Sequence, residues 1–167
     1  VNLVAGGSST ASANVDYTLL TSITISAGDT SNTAALSILN DSLYEGSTAE
    51  TVIVDISSVS GGSENGNQSI TVSIADNESA PTVTLSRNNA TVSEDGGTST
   101  ITATLSGATY QAVTVTLSDS GTAIDDTDFS YTGSITISAG ALEGTDTFTS
   151  IADEIYDAAS DESTTIL

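Results

Sequence analysis

Cysteine and histidine are absent from the 167 residues, and lysine and arginine together contribute one side chain, Arg87. Disulfides, thiolate metal sites and the usual zinc ligand sets are therefore excluded. Arg87 stands against 22 Asp and Glu residues, which gives a formal net charge of -21. A chain this acidic does not bind nucleic acid or anionic lipid by electrostatic attraction. Any bound metal is expected to be a hard, oxygen-seeking cation.

Long apolar runs and the common catalytic motifs are also missing. No apolar stretch approaches the roughly 20 residues that a membrane-spanning helix needs, so we expect no membrane insertion in this segment. There is no Gly-x-Ser-x-Gly elbow and no phosphate-binding loop, and a general base could only be a carboxylate. The sequence therefore predicts a protein that is not an enzyme.

The sequence does contain many short segments in which Val, Ile or Leu alternates with Ser or Thr. Such period-2 alternation, bounded by Gly, Asn, Asp and Ser, is typical of half-buried strands. The predicted strands lie at 22–26, 35–39 and 82–86, at 134–138, and in segments starting at 51, 69, 98, 112 and 147. No amphipathic helix longer than a turn is visible. This pattern predicts an all-β fold of antiparallel β-sandwiches.

The chain repeats itself. The heptapeptide SITISAG occurs at 22–28 and again at 134–140, an offset of 112 residues (134 − 22). The same offset, without gaps, aligns several acidic and aromatic residues: Asp16 with Asp128, Tyr17 with Phe129, Asp41 with Asp153, Glu45 with Asp157, and Glu50 with Glu162. The sequence therefore contains about one and a half copies of one module.

The repeat predicts two modules that meet near Pro81, the only proline of the chain. Residues 1–79 are expected to form a module without its first strands, and residues 80–167 a module without its last strands. Two interpretations of these incomplete modules remain open: the sequence is a window of a longer array, or neighbouring chains supply the missing strands.

Several of these segments, taken in order, resemble the Calx-beta repeat family. They are VSEDGGTSTITATLS from Val92, an acidic loop that ends in DYT or DFS, SITISAG, ILNDSLYEGSTAETVIV from Ile38, and ITVSIADNES from Ile70. The resemblance implies tandem seven-stranded, immunoglobulin-like antiparallel β-sandwiches. It also implies Ca²⁺ binding at acidic loops.

Carried over by position, the calcium ligands of the family fall on acidic or amide side chains of both modules. In the first module they are Asp16, Asp41, Glu45, Glu50, Asp76, Asn77 and Glu78; in the second they are Glu94, Asp126, Asp128, Asp153, Asp157 and Glu162. The alternative interpretation is that these Asp residues form turns and keep the protein soluble. Recurrence of acidic loops at matching positions favours calcium.

These observations favour a structural repeat of a secreted or cell-surface protein, adhesin-like or fibre-forming, which calcium stiffens at its module ends. Its expected partners are neighbouring repeats of the same chain or other copies in a fibre. A calcium-sensing regulatory or ligand-binding module is one alternative. A self-assembling fibre subunit completed by strand donation is another.

Overall fold

The computed structural model describes residues 1–152 and 162–167, and all regular elements within these ranges are β-strands. In the first half they are β1 Asn2–Ala5, β2 Tyr17–Leu19, β3 Leu36–Ile38, β4 Glu50–Ser58 and β5 Ser69–Ile74. In the second half they are β6 Val83–Arg87, β7 Thr98–Leu105, β8 Val113–Thr116, β9 Asp119–Gly121, β10 Phe129–Ser130, β11 Ser134–Ile137, β12 Glu143–Ser150 and β13 Thr164–Ile166. All strand pairs are antiparallel, which confirms the predicted all-β class. The count of seven strands per module remains a prediction.

The first compact unit comprises Val1–Ser42 and Gly46–Asn77. Strand β4 lies at the centre of a sheet with the order β1-β4-β5, and β2 pairs with β3 in a separate ribbon. Alternate residues of β4 face the core, where Val52 and Val54 are buried against Tyr17 of β2. This core is small: its buried residues are Ala11, Tyr17, Val52 and Val54.

The second compact unit comprises Glu78–Leu167 and Leu43–Glu45. Its largest sheet has the order β10-β12-β7-β6, and the pairs β11–β8 and β13–β9 form two further ribbons. Strand β7 alternates strictly between buried and half-buried residues after its first position. Its inward side chains join those of neighbouring strands in a core made of Ile101, Ala103, Leu105, Leu117, Ile135 and Ile137. Phe129 adds an aromatic part to the interior by stacking on Phe148, with 4.9 Å between ring centroids.

The two copies of SITISAG adopt different structures, and one strand prediction is therefore wrong. In the second unit the segment forms β11, with Ile135 and Ile137 fully buried. In the first unit only Ser22 makes a β-bridge, to Asn2, and Ile25 remains 45% exposed. Burying an isoleucine contributes roughly 1.5–3 kcal/mol, and in the second unit β7 covers these side chains. Within the described residues of the first unit no equivalent strand covers them, so the alternating pattern is not enough to form the strand.

Candidate metal centre

The candidate site of the first unit is built on a tight loop that precedes β2. The backbone amide of Ser12 donates a 2.5 Å hydrogen bond to Oδ2 of Asp16. Asn14 has a left-handed backbone, with φ of 65°, and its amide donates to the carbonyl of Tyr17 at 2.8 Å. Asn tolerates this conformation better than most residues because its short polar side chain can bond locally. The loop therefore closes on itself and holds the Asp16 carboxylate in place.

The same loop recurs 112 residues later. The amide of Ile124 donates a 2.6 Å hydrogen bond to Oδ2 of Asp128, and the amide of Asp126 donates to the carbonyl of Phe129 at 2.8 Å. Asp126 takes the place of Asn14 and has φ of 61°. Part of the alternative interpretation is thus correct, because both aligned aspartates act as turn formers. Each carboxylate still has a second oxygen.

Two of the predicted ligands come together beside the first loop. A carboxylate oxygen of Asp16 and one of Glu50 lie within 4.8 Å of each other. Asp16 is buried, and Glu50 is half-buried. Glu50 opens strand β4, and the backbone amides of Thr10 and Ala11 donate to the carbonyl of the neighbouring Thr51 at 2.9 and 3.1 Å. These bonds hold the loop of Asp16 against the start of β4.

Glu50 is placed unfavourably for an ionised acid. Its Oε2 atom is buried and has no hydrogen-bond partner among the described residues. Burial, the negative charge of Asp16 and a hydrogen bond to Asp16 all raise the pKa of the Glu50 carboxyl, in that order. A buried acceptor without a donor destabilises the folded state by about 1–3 kcal/mol. A bound divalent cation would coordinate this oxygen and offset the repulsion between the two carboxylates.

In the second unit, three predicted ligands line one cavity: Glu94, Asp128 and Glu162. Phe129 and Phe148 form part of its apolar wall. Glu162 corresponds to Glu50 and Asp128 to Asp16, so two acids that line this cavity are the repeat counterparts of the close pair in the first unit. Asp126 does not line this cavity.

Of the remaining predicted ligands, Glu45 belongs to the second compact unit. Oδ2 of Asp76 accepts a 3.3 Å hydrogen bond from the amide of Gly46. Asp41, Asn77 and Glu78 are not part of the pair formed by Asp16 and Glu50. Predicted ligands Asp153 and Asp157 lie outside the described residues.

Two acidic residues that the sequence analysis did not single out have defined partners in the second unit. Both oxygens of Asp146 accept backbone hydrogen bonds, from the amides of Thr132 and Thr147 at 2.9 and 2.8 Å. Asp119 accepts a 2.8 Å hydrogen bond from the hydroxyl of Tyr131 and helps to raise the pKa of that phenol to about 12, although burial is the larger cause. The alternation of β12 could have identified Asp146, which shares the inward parity of Phe148 and Ser150.

Together, the antiparallel sheets, the repeated acidic loop and the carboxylate group define a tandem all-β repeat protein with candidate cation sites. The Calx-beta domain model matches the chain twice, at residues 3–78 and 76–166. The chain therefore belongs to the Calx-beta family, as the resemblance predicted. Neither a comparison with curated proteins nor one with solved structures gave a significant match.

Family membership bears on activity, ligand and location. Calx-beta domains are non-catalytic, are associated with calcium binding, and occur in extracellular or membrane-associated proteins. The carboxylates of Asp16 and Glu50 offer the oxygen ligands that calcium prefers. Within the described part of the chain, no helix has the length and hydrophobicity needed to cross a membrane.

Proposed function

We propose that this protein is a structural repeat of a secreted or cell-surface protein, and that calcium bound at its acidic loops stiffens it. The observation that carries the proposal is the orphaned oxygen Oε2 of Glu50 beside Asp16. Two carboxylates this close together, one with a buried oxygen that lacks a donor, destabilise the fold when no metal is bound. A cation that binds only the folded state adds about 2.7 kcal/mol at 100 times its dissociation constant.

Asp16 and Glu50 are the central ligands of the proposed calcium site. Asp16 is held by its own loop, so little ordering is needed when an ion binds. Glu50 begins β4, the central strand of its sheet. An ion bound to Glu50 is therefore attached to the strand that carries the buried residues Val52 and Val54. Other oxygens of the site would come from backbone carbonyls and water, because calcium takes six to eight ligands.

Hydrogen exchange of the 167-residue chain tests this proposal, with millimolar calcium and then with chelator at constant ionic strength. We expect calcium to slow exchange in the peptide that covers β4, Glu50–Ser58. Glu50→Gln and Asp16→Asn should each remove most of that protection. Asp29→Asn is the matched control, since it removes the same charge from an exposed position outside the group. Equal exchange with and without calcium would overturn the proposed site.

Distance measurements test the stiffening. The chain has no cysteine, so spin labels can be attached at Ser60→Cys and Gln111→Cys, two exposed positions. A structural repeat stiffened by calcium predicts a narrower distribution of label distances when calcium is added. An unchanged distribution, in a protein whose β4 is protected by calcium, would argue against stiffening while leaving the calcium site intact.

A calcium-sensing or ligand-binding module is the alternative function. Calcium would then change the affinity for a partner rather than the rigidity of the repeat. The very low content of basic and aromatic residues disfavours it, because Trp, Tyr and Arg dominate the energetic centres of protein interfaces.

A further inference from the structure

The loop between β4 and β5 contains a dipeptide that the proposed function does not use, Asn65–Gly66. Asn65 is the only one of the nine asparagines that is followed by a glycine. Both residues are exposed, and Gly66 has a left-handed backbone with φ of 69°. A Cβ atom added to Gly66 would meet no atom within 4 Å. Nothing in the described part of the chain therefore crowds the backbone of Gly66.

The side chain of Asn65 can react with the backbone amide of Gly66. The amide nitrogen attacks Cγ, a five-membered succinimide ring closes, and the side-chain nitrogen leaves as ammonia. Water then opens the ring at either of its two carbonyl carbons. Opening at one carbon gives aspartate, and opening at the other gives isoaspartate, in which the main chain runs through the former side chain. Glycine promotes ring closure because it has no Cβ to obstruct the attack and its backbone rotates freely.

The groups that would react are free of hydrogen bonds. Within the described residues, neither the backbone amide of Gly66 nor the side-chain amide of Asn65 has a hydrogen-bond partner. The backbone carbonyl of Asn65 accepts from Nε2 of Gln68 at 2.8 Å, and Oε1 of Glu64 accepts from the amide of Gln68 at 2.6 Å. Both bonds lie at exposed positions, so the loop can reach the reactive geometry without breaking a buried contact.

A second pair able to form such a ring, Asp95–Gly96, is held more firmly. The amide of Gly96 donates to the carbonyl of Glu94 at 2.9 Å, so the nitrogen that would attack is already bonded. Oγ of Ser150 donates to the carbonyl of Gly97 at 3.2 Å and ties this turn to β12. Ring closure at this turn must first break hydrogen bonds, whereas at Asn65 the attacking amide is free.

We propose that Asn65 is a site of spontaneous deamidation, which converts it to aspartate and isoaspartate in the folded protein. Either product places a new carboxylate beside Glu64 and adds one negative charge to the chain. The isoaspartate product also lengthens the main chain of the loop by one carbon atom. Both products disturb the bonds that Gln68 makes to residues 64 and 65, directly ahead of β5. This proposal does not depend on calcium.

Mass spectrometry of the 167-residue chain tests the proposal, after incubation at physiological temperature and neutral pH. Deamidation adds about 1 Da, and fragmentation of the peptides locates it. We expect Asn65 to be converted about tenfold faster than any other asparagine. Conversion should be slower at mildly acidic pH, because the attacking amide nitrogen must lose its proton. Hydrogen exchange at the amide of Gln68 should be faster in the converted chains, since its bond to Glu64 is disturbed.

Variants separate the reaction from effects on folding. Asn65→Gln should show no conversion at this position, because its longer side chain would have to close a six-membered ring. Gly66→Ala should slow conversion about tenfold, since the added Cβ obstructs the attack. Gly62→Ala is the matched control, because it lies in the same loop and its added Cβ makes only an ordinary contact with Val59, at 3.6 Å.

The chain unfolded in urea gives the reference rate for Asn65. If Asn65 is converted in urea but retained in the folded chain, the fold protects it and the proposal is overturned. Conversion of another asparagine at the same rate in the folded chain would also overturn it. So would equal rates in Gly66→Ala and Gly62→Ala.

Discussion

Carboxylate oxygens of Asp16 and Glu50 lie within 4.8 Å of each other, but the two side chains are held in different ways. Asp16 is fixed by the amide of Ser12, whereas Oε2 of Glu50 is buried without a donor. The pair thus combines one pre-positioned ligand with one oxygen that needs a partner. This asymmetry determines what each substitution should do.

Glu50→Gln should stabilise the first unit by about 1 kcal/mol in chelator at neutral pH, because it removes a negative charge beside Asp16 and gives the buried position a donor. In calcium the same variant should be less stable than the parent, since a ligand is lost. Urea unfolding followed by hydrogen exchange in β4 measures both effects. Asp29→Asn should change neither result, and a Glu50→Gln protein that is destabilised in chelator would contradict the explanation.

The contribution of Glu50 to the stability of the fold changes with pH in a defined direction. The pKa of Glu50 is raised in the folded protein above its ordinary value of 4.5, so the folded state binds more protons between those two values. In chelator, this carboxyl therefore contributes stability that is fully present below about pH 4.5 and is lost as the pH rises through the folded pKa. Comparing the parent with Glu50→Gln from pH 4 to 7 isolates its contribution from the other acids. If the stability of the parent and that of Glu50→Gln change with pH in parallel, the pKa of Glu50 is not raised in the folded protein.

Two substitutions of Asp128 can separate its role in the loop from its role in cation binding. Asp128→Asn keeps an oxygen that can accept from the amide of Ile124, so the loop should lose little stability. Asp128→Ala leaves that amide without its acceptor and should cost about 1–2 kcal/mol. Both variants should weaken any calcium response of the second unit. Thermal unfolding in chelator and in calcium distinguishes the two effects, and equal stability of the two variants in chelator would contradict the loop role.

Tyr131 provides a spectroscopic test of the second unit. Its hydroxyl donates to Asp119, and its pKa is raised to about 12, first by burial and then by this hydrogen bond and nearby negative charge. An absorbance titration of the five tyrosines should therefore contain one that ionises about two pH units late. Tyr131→Phe should remove that late step. If the late step survives in Tyr131→Phe, another tyrosine is responsible and the geometry around Asp119 is wrong.

Gly144 marks a close approach between β12 and β11. A Cβ atom at this position would lie 2.7 Å from the carbonyl oxygen of Thr136 and 2.8 Å from Cγ2 of Ile135. Gly144→Ala should therefore destabilise the second unit by about 1–3 kcal/mol through overpacking. Gly107→Ala is the control, because no atom lies within 4 Å of its added Cβ. Chemical unfolding of both variants measures the difference, and equal stability would show that β11 can move away.

Much of this architecture could be predicted from the sequence because it depends on local periodicity. The alternation in β7 predicts which side chains of that strand are buried, and the repeat alone pairs Asp16 with Asp128. SITISAG shows where local periodicity is not enough. Identical residues form a strand in one unit and not in the other, because Ile137 is buried against β7, a strand distant in sequence, whereas Ile25 is 45% exposed.

Candidate ligands were identifiable, but their grouping was not. Glu50 lies beside Asp16 because the loop that precedes Asp16 is hydrogen-bonded to the carbonyl of Thr51, about 40 positions along the chain, and no local pattern encodes that contact. Asp41 and Asp76 have equally suitable side chains and do not join the group. The hydrogen bond between Tyr131 and Asp119 likewise joins side chains that lie twelve positions apart in the sequence.

Arg87, the single basic residue, lies at the end of strand β6 and pairs with Ile101. The following amide, of Asn88, is also bonded, to the carbonyl of Thr100 at 3.2 Å. A protease that cleaves after basic residues therefore has one peptide bond to attack, and that bond must first detach from the sheet. The scarcity of basic residues, which gives the chain its negative charge, thus makes the folded protein resistant to trypsin-like enzymes.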